Sequence, residues 1–193
     1  LTMVVSMFTI TTTTVSAANT GKVKNVIYII GDGAGFEPFK LADAVKQAGG
    51  IKNVYPNAIT QTTNKLYIKD YLIGGVPTYP AGASVTDSAA SGTALAVGHK
   101  AGLYSIGVDA YLNPKANILE AAEFAGKRVG VVSKYEFSHA TPAAFTAHYY
   151  NRGVYRPMSE QAVYQDYDVN LCPGIEIAEF NNIKTLIQQR GYR

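Results

Sequence analysis

The sequence predicts an α/β protein with a mostly parallel central sheet, and three features support this fold class. Residues 24–30 (KNVIYII) form an apolar, β-branched run closed by a Gly-Asp-Gly turn, which is typical of a strand buried on both faces. Residues 128–133 (RVGVVS) form a second such run. A helix pattern over residues 117–125 and a stop at Gly126 precede this second run, and the order helix, glycine, strand is half of a parallel crossover.

Two further helices are predicted from their start signals. The first begins at a Thr-Asp-Ser sequence, runs over residues 86–97 through small side chains and ends at Gly98. The second covers residues 142–150, with Thr141 at the N-cap position and Pro142 at the first helical position.

The last part of the chain predicts an amphipathic helix over residues 182–189, closed by Arg190 and Gly191. A strand should follow a helix in an alternating α/β pattern, but the chain stops at Arg193, so we expect the sequence to be C-terminally truncated. Residues 51–80 are rich in Asn, Thr, Gly and Tyr and predict a long irregular surface segment.

The first residues predict a leader. Residues 1–18 carry no charge and lead from an apolar stretch to small side chains that suit signal-peptidase cleavage. The basic start of such a signal is missing, so the leader itself is expected to be incomplete. We interpret residues 1–18 as a signal peptide for export to the periplasm, cell surface or medium, and residues 19–193 as the folded part; a disordered or membrane-tethering leader is the alternative.

The composition excludes several classes of protein. The chain has 193 residues, 47% of them apolar, which excludes a disordered chain, and no long charge-free apolar run follows the leader, so we expect no stable membrane span. The net charge is 17 − 14 = +3 and is spread along the sequence, so nucleic acid is not expected as a specific partner. Cys172 is the one cysteine and cannot form an internal disulfide.

Ser88 is a candidate for phosphate chemistry. A serine at a helix N-terminus faces free backbone N–H groups and the positive end of the helix dipole, which suits a phosphate group. The alternative is that Ser88 or Asp87 only caps the helix. Arg152 can fork onto two phosphate oxygens, or it can neutralise the C-terminal end of the helix predicted before it.

Three other polar side chains accompany the predicted strand ends. Asp32 stands between glycines, which allow a tight turn and the close approach of a cation to its carboxylate; an ordinary Asx turn is the alternative. His139 and Thr141 follow the strand predicted over residues 128–133; the alternative is an N-cap role for Thr141 and a surface or capping role for His139. Because ligands of open α/β sheets bind outside the carboxyl ends of the strands, we expect these residues and Ser88 to converge on one rim.

The combination of motifs is more specific than any of its members. Residues 25–33 (NVIYIIGDG), 85–94 (VTDSAASGTA) and 138–144 (SHATPAA), in that order, resemble the alkaline phosphatase family. Residues 98–109 are similar to the stretch that follows that family's nucleophile. The resemblance covers residues 24–152 and is weaker towards the end of the chain.

The resemblance implies a three-layer α/β/α sandwich, of which residues 19–193 would be the N-terminal part. It also implies hydrolysis of small-molecule phosphate monoesters through a phosphoserine formed on Ser88. Arg152 would clamp the phosphate group, and Asp87 would orient Arg152. A homodimer is implied for the complete protein.

The resemblance further implies two Zn²⁺ ions and one Mg²⁺ ion. Asp32 would bridge a zinc and the magnesium, and the Thr141 hydroxyl would belong to the magnesium site. His139 falls where some family members carry Asp and others His, so it would be a neighbour or a ligand of that metal. The family's other metal ligands follow this stretch of sequence, so we expect residues 1–193 alone to be inactive.

Two alternatives remain open from the sequence. One is a related metallo-phosphodiesterase or phosphomutase of the same superfamily, although such enzymes usually place another nucleophile setting where Ser88 stands. The other is a secreted binding or surface protein that keeps the fold without its metals. The metal ligands encoded downstream of Arg193 would decide between them.

Overall fold

The structure is a computed structural model that describes residues 23–47, 66–173 and 177–192. The chain divides into two compact units, Leu1–Gly31 and Asp32–Arg193, and every element and site described below lies in the second. The predicted leader lies outside the described residues, as does the part of the irregular segment that spans residues 51–65. The leader and the division at residue 19 therefore stay predictions.

The described sheet consists of two parallel strands, β1 (Gly130–Val132) and β2 (Val169–Leu171). Gly130 pairs with Val169 and Val132 with Leu171, and the connection between the strands is helical. The predicted strand over residues 128–133 and the parallel α/β arrangement are confirmed. A Cβ at Gly130 would lie 2.8 Å from the Val169 Cβ, so the glycine allows the two strands to approach each other.

The prediction of a strand over residues 24–30 is wrong. That stretch carries no strand assignment, and Val26, Ile27 and Ile29 are 80–86% exposed. A strand is defined by its hydrogen bonds to a neighbouring strand, and an apolar β-branched run supplies propensity without supplying that neighbour.

Two helical elements precede the helix that begins at Ser88, and neither was predicted. Helix α1 spans Phe36–Gln47, and a 3₁₀ helix spans Tyr67–Tyr71. An ion pair of 2.7 Å between Lys69 Nζ and Asp43 Oδ2 joins them. Most of the apolar side chains of α1 are exposed, including Phe36 and Leu41.

Helices α2 (Ser88–Val97) and α3 (Ile118–Phe124) confirm the predictions made from their capping signals. Asp87 caps α2, and Gly98 ends it with φ of 72°. At the start of α3, the Asn117 side chain accepts hydrogen bonds from Leu119 N and Glu120 N while the Glu120 side chain accepts from Asn117 N, which completes a capping box.

The helix predicted over residues 142–150 differs from the structure. Helix α4 spans only Ala140–Ala143, and His139 rather than Thr141 occupies its N-cap. The chain leaves the helix because Tyr149 exchanges two backbone hydrogen bonds of 2.8 Å with Ile106. An extended pairing with a distant segment therefore overrides local helix propensity.

Two more helices complete the described chain. Helix α5 (Tyr155–Tyr164) was not predicted, whereas α6 (Ile177–Gln189) contains the predicted helix and begins earlier. Gly191 follows α6 with φ of 78°, as expected of a helix end. Among the described residues, no helix combines the length and the apolar character needed to cross a bilayer.

The core lies where α2 packs against α4. A Cβ at Gly92 would lie 3.4 Å from the Ala144 Cβ, so the small side chains of α2 allow α4 and the residue after it to approach closely. This contact brings the N-terminus of α2 near the residues that follow β1. The central buried apolar side chains are those of Ala89, Ile106, Ala140, Ala143, Ala147 and Met158.

Candidate active site

Ser88 is the first residue of α2, and the local sequence explains why the helix begins there. The Asp87 Oδ1 accepts a hydrogen bond of 3.0 Å from Ala90 N and so satisfies one of the free N–H groups of the first turn. The capping role proposed for this pair therefore belongs to Asp87. The Ser88 side chain is half-buried and remains available at the positive end of the helix.

Asp32 brings two hydroxyl groups together. Ser88 Oγ donates a hydrogen bond of 2.9 Å to Asp32 Oδ1, and Thr141 Oγ1 donates one of 2.9 Å to Asp32 Oδ2. The three residues come from a turn after residue 31, the start of α2 and the first turn of α4. The predicted convergence of Asp32, Ser88 and Thr141 is thus present in the structure, and it is open to solvent.

Arg152 and Asp87 form the second contact of the site. Arg152 Nη1 donates to Asp87 Oδ2 over 3.1 Å, and both side chains are largely buried, with 24% and 18% exposure. Burial by itself raises the pKa of Asp87, but the Ala90 N–H, the Arg152 guanidinium and the Tyr104 N–H outweigh it and hold the pKa below its usual value. Asp87 therefore stays ionised, and its carboxylate contacts the Arg152 guanidinium.

His139 takes no part in the described hydrogen bonds of Asp32, Ser88 and Thr141. Its ring stacks on the Tyr135 ring, with centroids 5.0 Å apart, and its backbone N–H donates to the Glu136 carbonyl. The structure thus places His139 at the N-cap of α4, two residues before Thr141, with its ring stacked on an aromatic neighbour.

One residue of the site could not be found by motif reasoning. The backbone carbonyl of Tyr104 accepts a 2.8 Å hydrogen bond from Arg152 N, and the Tyr104 N–H donates to Asp87 Oδ1 over 3.4 Å. Backbone groups of Tyr104 thus link Asp87 to the chain at Arg152. Tyr104 has φ of 66°, an uncommon value for a non-glycine residue, and no motif in the sequence marks this backbone conformation.

The donor atoms at Asp32 fit a hard cation in part. A carboxylate and a hydroxyl are oxygen ligands of the kind that Mg²⁺ uses together with several waters, and Asp32 and Thr141 supply both. Zinc sites generally need three or more protein ligands each. Within the described residues no group of three or more His, Cys, Asp or Glu side chains can hold a metal, so these residues do not complete a zinc site.

The fold and the site together define a class of protein. A parallel α/β scaffold places a serine hydroxyl at a helix N-terminus, beside a carboxylate and near an oriented arginine, which is an arrangement suited to phosphate esters. The profile of the alkaline phosphatase family matches residues 23–185. The chain belongs to the alkaline phosphatase family.

Known members of the family show the extent of the similarity. Alkaline phosphatase H of Pseudomonas aeruginosa is 42% identical over 139 residues, which make up 70% of this chain and 28% of that protein. The cold-active alkaline phosphatase of a Shewanella species has the same fold, with a TM-score of 0.68 at 31% identity over 85% of this chain and 39% of its own. A variant of the alkaline phosphatase of the Antarctic bacterium TAB5, solved with magnesium bound in its M3 site, matches with a TM-score of 0.53 at 25% identity over 64% of this chain and 40% of its own.

The chain spans less than a third of the length of the curated relatives with which it was compared, 28% in the case of the Pseudomonas enzyme and of alkaline phosphatase 3 of Bacillus subtilis. The family match over residues 23–185 and the similarity to solved structures show the family and the α/β fold of this chain.

Proposed function

We propose that the protein containing this chain hydrolyses phosphate monoesters and that Ser88 is its nucleophile. The observation that carries the proposal is the position of Ser88 Oγ, which lies at the N-terminus of α2 and within 2.9 Å of the Asp32 carboxylate. Family membership supports the same reaction, because the relatives are named alkaline phosphatases.

Electrostatic attraction is the first contribution to binding of the ester. A phosphate monoester is an anion, and the free N–H groups of the first turn of α2 and the Arg152 guanidinium are the groups of this chain that attract it. The contact with Asp87 engages one nitrogen of a guanidinium that carries five N–H donors, so the remaining donors can meet two phosphate oxygens.

The transfer step then uses the Ser88 hydroxyl as the nucleophile. The hydrogen bond to Asp32 fixes the direction of the Ser88 hydroxyl, so that its oxygen can attack phosphorus in line with the ester oxygen. A bond forms between Oγ and phosphorus while the bond to the ester oxygen breaks, and the alcohol leaves with the proton that Ser88 gives up. Attack of water on the phosphoserine releases inorganic phosphate and restores Ser88.

Metal ions belong to this proposal as cofactors. Asp32 and Thr141 would hold Mg²⁺, and Asp32 would also contribute to one of two Zn²⁺ sites that the described residues do not complete. His139 would lie beside the magnesium. When bound, these cations supply positive charge for the attacking and leaving oxygens.

The substrate range, the export and the oligomeric state of the protein are also part of the proposal. Recognition centres on the phosphate group, so we expect a broad range of small phosphate monoesters as substrates. The uncharged stretch 1–18 supports export, and N-terminal sequencing of the secreted protein is expected to start after Ala18. A homodimer in the complete protein is a further prediction, which sedimentation of the purified protein can test.

Substitution of Ser88 tests the proposed function. In the protein encoded in full, with Zn²⁺ and Mg²⁺ added, S88A is expected to lower hydrolysis of 4-nitrophenyl phosphate by about a thousandfold or more. S91A is the matched control, because Ser91 lies one turn along α2 and its Oγ donates to the Asp87 carbonyl. Equal turnover by S88A and S91A would overturn the proposal.

Residues 1–193 alone give a second test. We propose that this stretch shows no turnover with added Zn²⁺ and Mg²⁺, because its described residues offer no group of three or more metal ligands. Turnover comparable to that of the protein encoded in full would contradict this proposal.

A further inference from the structure

His148 lies outside the site described above and is held on both sides of its ring. Nδ1 lies 2.6 Å from the Gly107 carbonyl oxygen, and Nε2 lies 2.9 Å from Glu120 Oε1. Both side chains are largely buried, with exposures of 17% for His148 and 22% for Glu120. The Gln161 side chain also bonds the backbone of His148, accepting from its N–H over 2.8 Å and donating to its carbonyl over 3.2 Å.

The chemistry of these partners fixes the role of Nδ1 and the charge of Glu120. A carbonyl oxygen accepts only, so Nδ1 must donate to Gly107. Glu120 also receives hydrogen bonds from Gln165 Nε2 over 2.6 Å and from Asn117 N over 2.8 Å. Burial raises the pKa of Glu120, but the His148 ring and these two donors outweigh it and lower the pKa, so the carboxylate beside His148 Nε2 is ionised.

The contact with Gly107 requires the absence of a side chain. A Cβ at Gly107 would lie 2.1 Å from the Ala147 carbonyl oxygen and 2.7 Å from His148 Nδ1. Gly107 N donates to Thr93 Oγ1 over 2.9 Å, and Thr93 lies on α2, the helix that begins at Ser88. His148 is therefore tied through Gly107 to the helix of the proposed nucleophile.

The other direction along the chain leads to Arg152. Tyr149 pairs with Ile106 immediately after His148, and Arg152 N then donates to the Tyr104 carbonyl. The segment 148–152 thus runs antiparallel to residues 104–107. His148 anchors the start of this segment through Gly107, and the Tyr104 carbonyl anchors its end through Arg152 N. The Arg152 guanidinium reaches Asp87 from this segment.

We propose that His148 is a positioning residue for phosphate binding. By bonding Gly107 and Glu120 together, it fixes the segment that carries Arg152 against α2, so that the guanidinium and the N-terminus of α2 meet the same phosphate group. The proposal rests on the proposed function, because it assigns phosphate binding to Arg152.

A double-substitution experiment tests this role in the protein encoded in full, with inorganic phosphate as the probe. H148Q retains one donor and is expected to raise the inhibition constant of phosphate about tenfold, since small misplacements of positioned groups have effects of this size or larger. In the R152A background, H148Q is expected to change that constant by less than about twofold, because it acts through Arg152. A purely structural role would lower phosphate affinity equally in both backgrounds and would overturn the proposal.

A second variant covers the case in which H148Q fails to fold, as judged by circular dichroism. E120Q keeps the shape of Glu120 but replaces the carboxylate that accepts from Asn117 N and Gln165 Nε2 with an amide, and the same dependence on Arg152 is expected. E123Q is the matched control, because Glu123 lies on the same helix and is exposed, and phosphate binding should be unchanged.

The outcomes separate the two proposals. If R152A itself leaves phosphate binding unchanged, the proposed role of Arg152 fails. If R152A weakens binding but H148Q and E120Q do not, the positioning role of His148 fails. Failure of both variants to fold would also overturn the positioning role, since the contacts would then serve folding alone.

Discussion

Asp32 is the residue on which the site depends, because one carboxylate receives two hydroxyl groups from distant parts of the chain. Ser88 is 56 positions and Thr141 109 positions further along, yet each donates to a separate oxygen of Asp32. An isolated surface carboxylate does not collect two such partners by local structure alone. The arrangement is therefore a product of the fold, and it places Ser88 and Thr141 on either side of one anionic group.

Thr141 carries the first prediction at this scale. In the protein encoded in full, T141V removes the hydroxyl that would bind Mg²⁺ while keeping the shape of the side chain. We expect the magnesium concentration needed for half-maximal activity to rise about tenfold or more. T141S keeps the hydroxyl and serves as the control. The same magnesium dependence for T141V and T141S would contradict the assignment.

The sequence motifs predicted which residues would meet but could not predict all that they contact. Asp32, Ser88 and Thr141 converge as expected, since the motifs mark the turn and helix starts that carry them. The stacking of His139 on Tyr135 and the link from Tyr104 to Arg152 were not predicted, because each depends on the path of the backbone between elements.

Two glycines show how the elements around the site are shaped. Gly98 ends α2 with φ of 72°, and Gly107 has φ of 60°. No atom lies within 4 Å of a Cβ built at Gly98, whereas one built at Gly107 would overlap the Ala147 carbonyl oxygen at 2.1 Å. The backbone conformation thus disfavours a side chain at both positions, and crowding adds to this only at Gly107.

Substitution of these glycines gives the prediction at this scale. G98A is expected to lower the free energy of unfolding by about 1 kcal/mol, because a non-glycine residue is strained in the left-handed region. G107A is expected to cost about 3 kcal/mol or more, because overpacking adds to the same strain. Denaturant unfolding of both variants measures the difference. Equal losses would show that crowding at Gly107 has no effect.

Elements with strong local signals were predicted best. Helices α2 and α3 have side-chain caps at their starts and glycines close after their ends, and both were found at the expected positions. The short α4 was predicted to continue to residue 150, because local propensity does not contain the pairing of Ile106 with Tyr149. The apolar run at residues 24–30 had strand propensity but no strand assignment in the structure, for the same reason.

The stability of the whole molecule depends on pH through carboxylates whose ionised form the fold stabilises. Hydrogen bonds from the Asn113 N–H, followed by those from Lys115 and the Tyr111 N–H, outweigh burial and lower the pKa of Asp109. The pKa values of Asp87 and Glu120 are also lowered, by donors that outweigh burial. A group whose pKa is lower in the folded state adds stability above its unfolded value and loses it as the pH falls through the folded value.

The expected result is a loss of stability in acid. The ordinary pKa values are 3.8 for Asp and 4.5 for Glu, so the melting temperature of the protein should be nearly constant from about pH 7 to pH 5 and fall below about pH 4. D109N should lower the melting temperature at neutral pH and differ little from the wild type in strong acid. A melting temperature that is unchanged in acid would contradict this prediction.

The central proposal is that a phosphate group is transferred to Ser88. The most direct measurement is mass spectrometry of the protein encoded in full after an acid quench during turnover of a phosphate monoester. Trypsin cleavage after Lys69 and Lys100 releases one peptide that contains Ser84, Ser88 and Ser91. We expect a single phosphate on this peptide, located at Ser88 and absent from S88A. Phosphate on another residue, or active protein in which the peptide never carries phosphate, would contradict it.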